Sequence, residues 1–175
     1  MSQTLLGHTH VIESVCFGKK PTDAAAIVAA AVDRQGQGST GNTGTAAHTT
    51  NSSLSLAEGM LKAKEAEALE SYSYLISGSR DRMIKLWDPL QGVCLKTFSS
   101  HENWVRCVVF HPSMKFIVSC SDDKTIRITD IKESRCMRTI SEAHSHFVST
   151  VALSEKYPFC VSGSVDKSVC IWQCI

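Results

Sequence analysis

Histidine, serine and aspartate occur together three times along the chain: His8, Ser77 and Asp81, then His101, Ser119 and Asp123, then His144, Ser162 and Asp166. These are the residue types of a hydrolytic triad, in which a carboxylate orients an imidazole and the imidazole takes the proton of a serine nucleophile. A triad is built once per active site, with its nucleophile exposed beside an oxyanion hole. A trio written into every unit of a repeat is structural instead. The pairs His8-x-His10 and His144-x-His146 put two imidazoles on one strand face, as a metal clip would need, but no third ligand recurs with them. There is no phosphate-binding glycine loop, no nucleophile elbow and no constellation of paired carboxylates. The chain reads as non-enzymatic, with no metal and no cofactor.

The elements that must position these residues follow from a repeat. Ser77-Gly78-Ser79-Arg80-Asp81-Arg82-Met83-Ile84-Lys85-Leu86-Trp87-Asp88 returns as Ser119-Cys120-Ser121-Asp122-Asp123-Lys124-Thr125-Ile126-Arg127-Ile128-Thr129-Asp130. It returns again as Ser162-Gly163-Ser164-Val165-Asp166-Lys167-Ser168-Val169-Cys170-Ile171-Trp172-Gln173. The motif aspartates lie 42 and 43 residues apart. Ahead of each motif a histidine opens an alternating apolar run: His8 before 11–17, His101 before 104–110 and His144 before 147–153. Alternation of period two, in short runs between turn residues, predicts strands. The middle unit holds four of them, at about 104–110, 115–120, 125–130 and 135–140.

Charge and composition narrow the function classes. In 175 residues, 18 Lys and Arg against 17 Asp and Glu leave a net charge of +1, so no overall field draws the chain to nucleic acid or to an anionic membrane. No apolar run approaches the roughly 18 residues that span a bilayer. The apolar stretch 24–32 starts too far in, and lacks the basic flank, for a secretory signal. Eight cysteines without a C-x-x-C pair, most of them among Val, Ile and Phe, read as buried free thiols in a reducing cytosol. From 18 to 71 the chain holds no aromatic residue and is rich in Ala, Gly, Ser, Thr and Asn, which predicts a disordered insertion. Within it, 24–32 has helical propensity, and Ser55-Leu56-Ala57-Glu58 resembles a capping box opening a solvated helix over 56–69.

A unit of this length that opens on Gly-His or x-His and finishes on Trp-Asp resembles the WD-repeat family, whose units are blades of a β-propeller. The resemblance covers everything except the insertion. It implies an all-β, partial propeller of about three four-stranded antiparallel blades, at about 4–98, 99–140 and 141–175, with 18–71 inserted in the first. In that family the turn Asp, the His, a strand Ser and the Trp form a buried hydrogen-bonded chain. The resemblance places it on His8, Ser77, Asp81 and Trp87, and on His144, Ser162, Asp166 and Trp172. The middle set, His101, Ser119 and Asp123, has Thr129 where Trp is expected, so Asp166→Ala is expected to cost more stability than Asp123→Ala. Closing a ring takes roughly four to eight blades. Thr4-Leu5-Leu6 resembles the outer strand of a preceding blade, and the last blade ends on its third strand. The chain is therefore expected to be the C-terminal part of a longer propeller, and by itself to self-associate through open sheet faces.

Finer stretches resemble the lissencephaly-1 family of WD-repeat regulators of cytoplasmic dynein. They are 75–81, His101-Glu102-Asn103-Trp104-Val105-Arg106, 115–120, 135–139 and 163–169. That family also carries a long insertion between the first two strands of its fifth blade, the place where this chain inserts 18–71. The resemblance implies a scaffold for nuclear migration, spindle function and microtubule-based transport, in the cytoplasm and at the cytoskeleton and centrosome. Its implied partners are the dynein motor and its cofactors, with acetylhydrolase catalytic subunits as further partners. Another WD-repeat adaptor, such as a ubiquitin-ligase substrate receptor or a G-protein β-like scaffold, is the alternative. Such an adaptor would not be expected to share Asn103-Trp104-Val105-Arg106 or the insertion site. The family's motor contacts fall, position by position, on Arg80, Trp104 and Lys124. Arg80 and Lys124 lie in turns between second and third strands, and Trp104 starts a first strand. Arg and Trp are enriched at interface hot spots. Val11 and Phe147 stand at the position of Trp104 in the other units, so the fold does not demand an indole there.

Overall fold

The computed structural model describes residues 4–18 and 74–174. The insertion expected over 18–71, with its two helical stretches, lies from residue 19 onward outside the described residues. The strands are β1 (Ile12–Gly18), β2 (Tyr74–Ser79), β3 (Met83–Asp88), β4 (Val93–Ser99), β5 (Val105–Phe110), β6 (Phe116–Ser121), β7 (Ile126–Asp130), β8 (Arg135–Ile140), β9 (Val148–Leu153), β10 (Phe159–Ser164) and β11 (Val169–Gln173). They form three antiparallel sheets, ordered β1-β2-β3-β4, β5-β6-β7-β8 and β9-β10-β11. These are the strands that the alternation predicts, in the all-β, partial-propeller architecture that the repeat resemblance implies. Among the described residues no helix is long and apolar enough to cross a membrane.

The sheets stack face to face, which is why both faces of the inner strands are apolar. The first sheet presents Tyr74, Ile76, Ile84, Leu86 and Phe98, and the second answers with Val105, Val108, Phe110 and Ile117. The opposite face of the second sheet, through Val118, Cys120 and Ile126, meets Val148, Val151 and Cys160 of the third. Ile76, Ile84, Leu86 and Val105 are wholly buried, and each such side chain contributes about 1.5–3 kcal/mol. Gly78 lies at a close approach of the first two sheets. A Cβ there would stand 2.7 Å from Val105 Cγ1, so a side chain would push the sheets apart.

All eight cysteines are free thiols. Cys120 and Cys160 fill the joint between the second and third sheets, but Cys94 and Cys136 are exposed on the outer strands β4 and β8. Burial of the thiols is thus a property of the inner strands only. Each sheet also carries a bulge between its first two strands, with one extra residue on the first: Glu13, Arg106 and Ser149. A bulge re-aims the side chain it carries. In the first two sheets that side chain belongs to the site described next.

Candidate functional site

In the first sheet His8 Nδ1 stands 2.7 Å from Asp81 Oδ2 and His8 Nε2 stands 2.7 Å from Ser77 Oγ. The Trp87 indole N–H donates to the same Ser77 oxygen at 2.8 Å. The third sheet repeats this with His144 at 3.1 Å from Asp166 and 2.7 Å from Ser162, and with Trp172 donating to Ser162 at 2.8 Å. An ionised carboxylate only accepts, so Nδ1 carries the hydrogen and Nε2 accepts from the serine hydroxyl. The serine hydrogen then points into the ring and its oxygen is covered by an indole. Ser77 and Ser162 are 1% and 0% exposed. Neither serine is placed to attack a substrate.

The carboxylates also close the turns. Asp81 accepts the N–H groups of Thr9 and Met83, Asp123 those of Glu102 and Thr125, and Asp166 those of Ser145 and Ser168. Burial pushes the Asp81 and Asp123 carboxyls up, but their histidine and amide hydrogen bonds outweigh it and hold both below the usual range. The Ser168 hydroxyl is the main cause of the same downward shift at Asp166.

The middle network ends differently. His101 lies 2.8 Å from both Asp123 and Ser119, and Ser119 Oγ also faces the Arg127 carbonyl at 3.4 Å. Thr129 occupies the register position of Trp87 and Trp172, and its buried Oγ1 has no hydrogen-bond partner among the described residues. A buried hydroxyl without a partner costs about 1–3 kcal/mol of desolvation. Thr129→Val, which keeps the shape and removes the hydroxyl, is therefore expected to stabilise the chain by about 1 kcal/mol. A thermal melt of the variant, expected a few degrees higher, checks it; a lower melting temperature would contradict it.

A second cluster lies on the rim where the first two sheets meet. The Arg80 guanidinium stands 4.3 Å above the half-buried Trp104 ring, and the Arg106 guanidinium 5.1 Å from its centroid. The His10 ring lies 6.5 Å away. Glu13 accepts from Arg80 Nε and, at 3.3 Å, from Arg106 Nη1. Asp122 accepts from Arg106 Nε and Nη2, both at 2.8 Å. The Arg80 hydrogen bond holds Glu13 below the ordinary carboxylate range, and the Asp122 bond raises Arg106 further. Two fixed cations thus flank an indole whose exposed part faces solvent, with two acids setting their positions.

The repeat explains how the cluster is built. The N–H groups of Arg80, Asp122 and Val165 donate to the carbonyls of Val11, Trp104 and Phe147, so those three residues share one turn position. At that position and at the bulge, the first sheet has Arg80 and Glu13 and the second has Asp122 and Arg106, with the charges exchanged. The third has Val165 and Ser149, so the charged rim is confined to the first joint. Lys124 follows Asp123 in the left-handed region, at φ 66°, as Arg82 and Lys167 do at 69° and 72°. It is therefore the counterpart of Arg82 and not of Arg80. It is exposed, and among the described residues no hydrogen bond, ion pair or cation–π contact joins it to Arg80 or Trp104. Sequence reasoning assigned no role to Glu13, Arg106 or Asp122. The signal that finds them is opposite charge at equivalent positions of adjacent repeats.

The WD domain, G-beta repeat model matches residues 69–88, 92–130 and 134–173. The chain is 50% identical to the Lissencephaly-1 homolog of Heterostelium pallidum over 123 residues, 69% of this chain and 30% of that protein. It is 47% identical to the Lissencephaly-1 homolog of Dictyostelium discoideum over 123 residues, 69% of this chain and 29% of that protein. To the Nuclear distribution protein PAC1 of Coccidioides posadasii it is 47% identical over 89 residues, 50% of this chain and 19% of that protein. The chain thus spans less than a third of the length of the curated relatives it matches. With three sheets of one repeating register, the same hydrogen-bonded trio in each and a family model that matches all three, the chain belongs to the WD-repeat family.

Proposed function

We propose that this chain is a non-enzymatic scaffold that binds the cytoplasmic dynein motor, with Arg80, Trp104 and Lys124 as the contact residues, and serves nuclear migration and microtubule-based transport. The observation that carries the reading is the half-exposed Trp104 held beneath Arg80 on the rim of the first joint. A fixed aromatic beside fixed guanidinium groups loses little side-chain entropy on binding, and Trp and Arg are the residues most often found at hot spots. The similarity to lissencephaly-1 and nuclear distribution proteins supports the motor as the partner. Acetylhydrolase catalytic subunits are a further protein partner under the same resemblance, and the site of action is the cytoplasm, at the cytoskeleton and centrosome. The test is a pull-down of purified dynein motor domain by the immobilised chain. Binding that Arg80→Ala with Trp104→Ala removes supports the reading. Equal capture by the folded double variant, or none by the folded wild-type chain, would sink it in favour of a different WD-repeat adaptor.

A further inference from the structure

The residue that follows each bulge holds one repeat position. Ser14, Cys107 and Thr150 stand there, and across the ladder they face Gly78, Cys120 and Gly163 on the second strand of each sheet. The first and third sheets leave that facing position without a side chain, and a Cβ on Gly163 would come 3.1 Å from Thr150 Cγ2. The second sheet instead sets a thiol opposite a thiol. Among the described residues no other strand pairing puts two cysteines face to face. Directly opposed residues of an antiparallel pair project to the same face. Both side chains accordingly belong to the joint between the second and third sheets.

The two sulfurs differ in their surroundings. Cys120 is wholly buried, whereas Cys107 is partly exposed on β5, an edge strand of its sheet. From the first sheet the Ser14 hydroxyl stands 4.0 Å from Cys107 Sγ, and from the third the Val151 carbonyl, 3.6 Å away, accepts from its thiol form. The Cys120 S–H donates to the Cys107 sulfur. That bond, helped by the Ser14 and Thr150 hydroxyls, outweighs burial and brings Cys107 down to about 6. The same bond, together with burial, pushes Cys120 up. At neutral pH the accessible member of the pair is thus a thiolate and the buried member a thiol. A thiolate, partly exposed and beside a second cysteine, is the form that peroxides oxidise. Cys160 packs in the same joint, but burial pushes it up to about 11. Cys94 and Cys136 are exposed, yet their sulfurs face carbonyl and hydroxyl groups of their own strands and no second thiol.

We infer that Cys107 and Cys120 form a dithiol site for hydrogen peroxide, in which Cys107 is oxidised first and Cys120 resolves it to a disulfide. The Cys107 sulfur attacks one peroxide oxygen, so an S–O bond forms and the O–O bond breaks. The hydroxide that leaves takes a proton from solvent and becomes water. Sulfur has lost two electrons and the peroxide has gained them. The Cys120 sulfur then attacks the sulfenic sulfur, the S–S bond forms and the S–O bond breaks. The Cys120 proton departs with the hydroxyl as a second water. Cross-strand Cβ atoms lie about 4.5–5.5 Å apart and those of a disulfide about 3.8 Å, so a small approach of β5 to β6 completes the bond. The bulge immediately before Cys107 is where β5 gives way. A dithiol reductant reverses the oxidation by two thiol–disulfide exchanges.

The reduced full chain is treated with hydrogen peroxide under native conditions, alkylated, digested without reduction and mapped by mass spectrometry. The expected result is the loss of two hydrogen atoms from the intact mass and one linked peptide pair that holds Cys107 and Cys120. Dithiothreitol is expected to restore both thiols. A link from either cysteine to Cys160, oxidation confined to Cys94 and Cys136, or two intact thiols would overturn the inference. Cys120→Ala is expected to leave Cys107 as a sulfenic acid that dimedone captures. Cys107→Ser, at a partly exposed position, is expected to fold by circular dichroism and to leave Cys120 unoxidised; oxidation of Cys120 in that variant would contradict the order of the steps. The wild-type map decides the inference whether or not Cys120→Ala folds. It uses the free chain, so its outcome is independent of motor binding.

Discussion

Asp123→Ala is expected to lower the unfolding free energy by about 2–4 kcal/mol, the range for removing one member of a buried, charge-assisted network. It is also expected to cost more than Asp166→Ala, the reverse of the order expected from Trp172. The reason lies in what each aspartate leaves behind. Asp123 holds His101 at 2.8 Å and the Thr125 hydroxyl at 2.7 Å, and Arg127 Nη2 lies 3.7 Å from it. Removing it strands a buried imidazole N–H and leaves a guanidinium without its acid. His144 Nδ1, by contrast, already has the Ser168 hydroxyl at 2.9 Å as a second acceptor when Asp166 is lost. For His101 the corresponding fallback, Thr125 Oγ1, is 3.3 Å away. Denaturant unfolding of the two variants decides the order, and a larger loss for Asp166→Ala would restore the ranking by Trp172.

The same carboxylates set the acid limit of the fold. Each has its folded value held below the ordinary one, so its contribution is fully present above the unfolded value near pH 4. As pH falls from about 4 toward the folded values, protonation of the unfolded chain withdraws that contribution. The melting temperature is therefore expected to fall steeply below about pH 4, and Asp123→Ala is expected to flatten that fall. A variant with the wild-type acid slope would show that Asp123 does not carry it.

The strands, their pairing into sheets and the three His-Ser-Asp trios were legible because period-two alternation and a register of 42–43 residues are properties of sequence order alone. The rim cluster was only half legible. Arg80 and Trp104 could be named, but a regular strand would have placed Glu13 and Arg106 by alternation, and both are the extra residues of bulges, which break it. Lys124 and Arg80 look alike in sequence, each beside a turn aspartate. The aligned repeats already set Lys124 against Arg82, because Arg80 precedes its aspartate and Lys124 follows its own; the backbone adds that Lys124 has positive φ whereas the Arg80 N–H closes the turn onto Val11. The expected ranking of Asp166 over Asp123 has a related origin. It counted the motif residue Trp172 and could not see Arg127, which reaches Asp123, Thr125 and the Ser100 carbonyl from the next strand.

Arg80→Ala and Trp104→Ala are each expected to weaken the proposed motor binding about 30-fold, the loss of about 2 kcal/mol that defines a hot spot. Together they are expected to weaken it about 100-fold, well short of the roughly thousandfold product of independent sites. The guanidinium lies 4.3 Å from the ring, so removing either side chain already loosens the other. Glu13 couples the two guanidinium groups, because it accepts from Arg80 Nε while also holding Arg106. Arg80→Lys keeps the charge but loses the planar stack and the Nε donor, and is expected to rescue only part of the binding. Among the described residues Lys124 shares no partner with the pair, so Lys124→Ala is expected to add its smaller effect to either variant without coupling. The Arg80 side chain is 32% exposed and its ion pair lies at the rim, so stability changes by no more than about 1 kcal/mol and the melting temperature by a few degrees. Titration of the dynein motor against wild type, both single variants and the double closes the cycle. A fully multiplicative double variant would show two independent contacts, and binding lost only in step with unfolding would remove the rim from the interface.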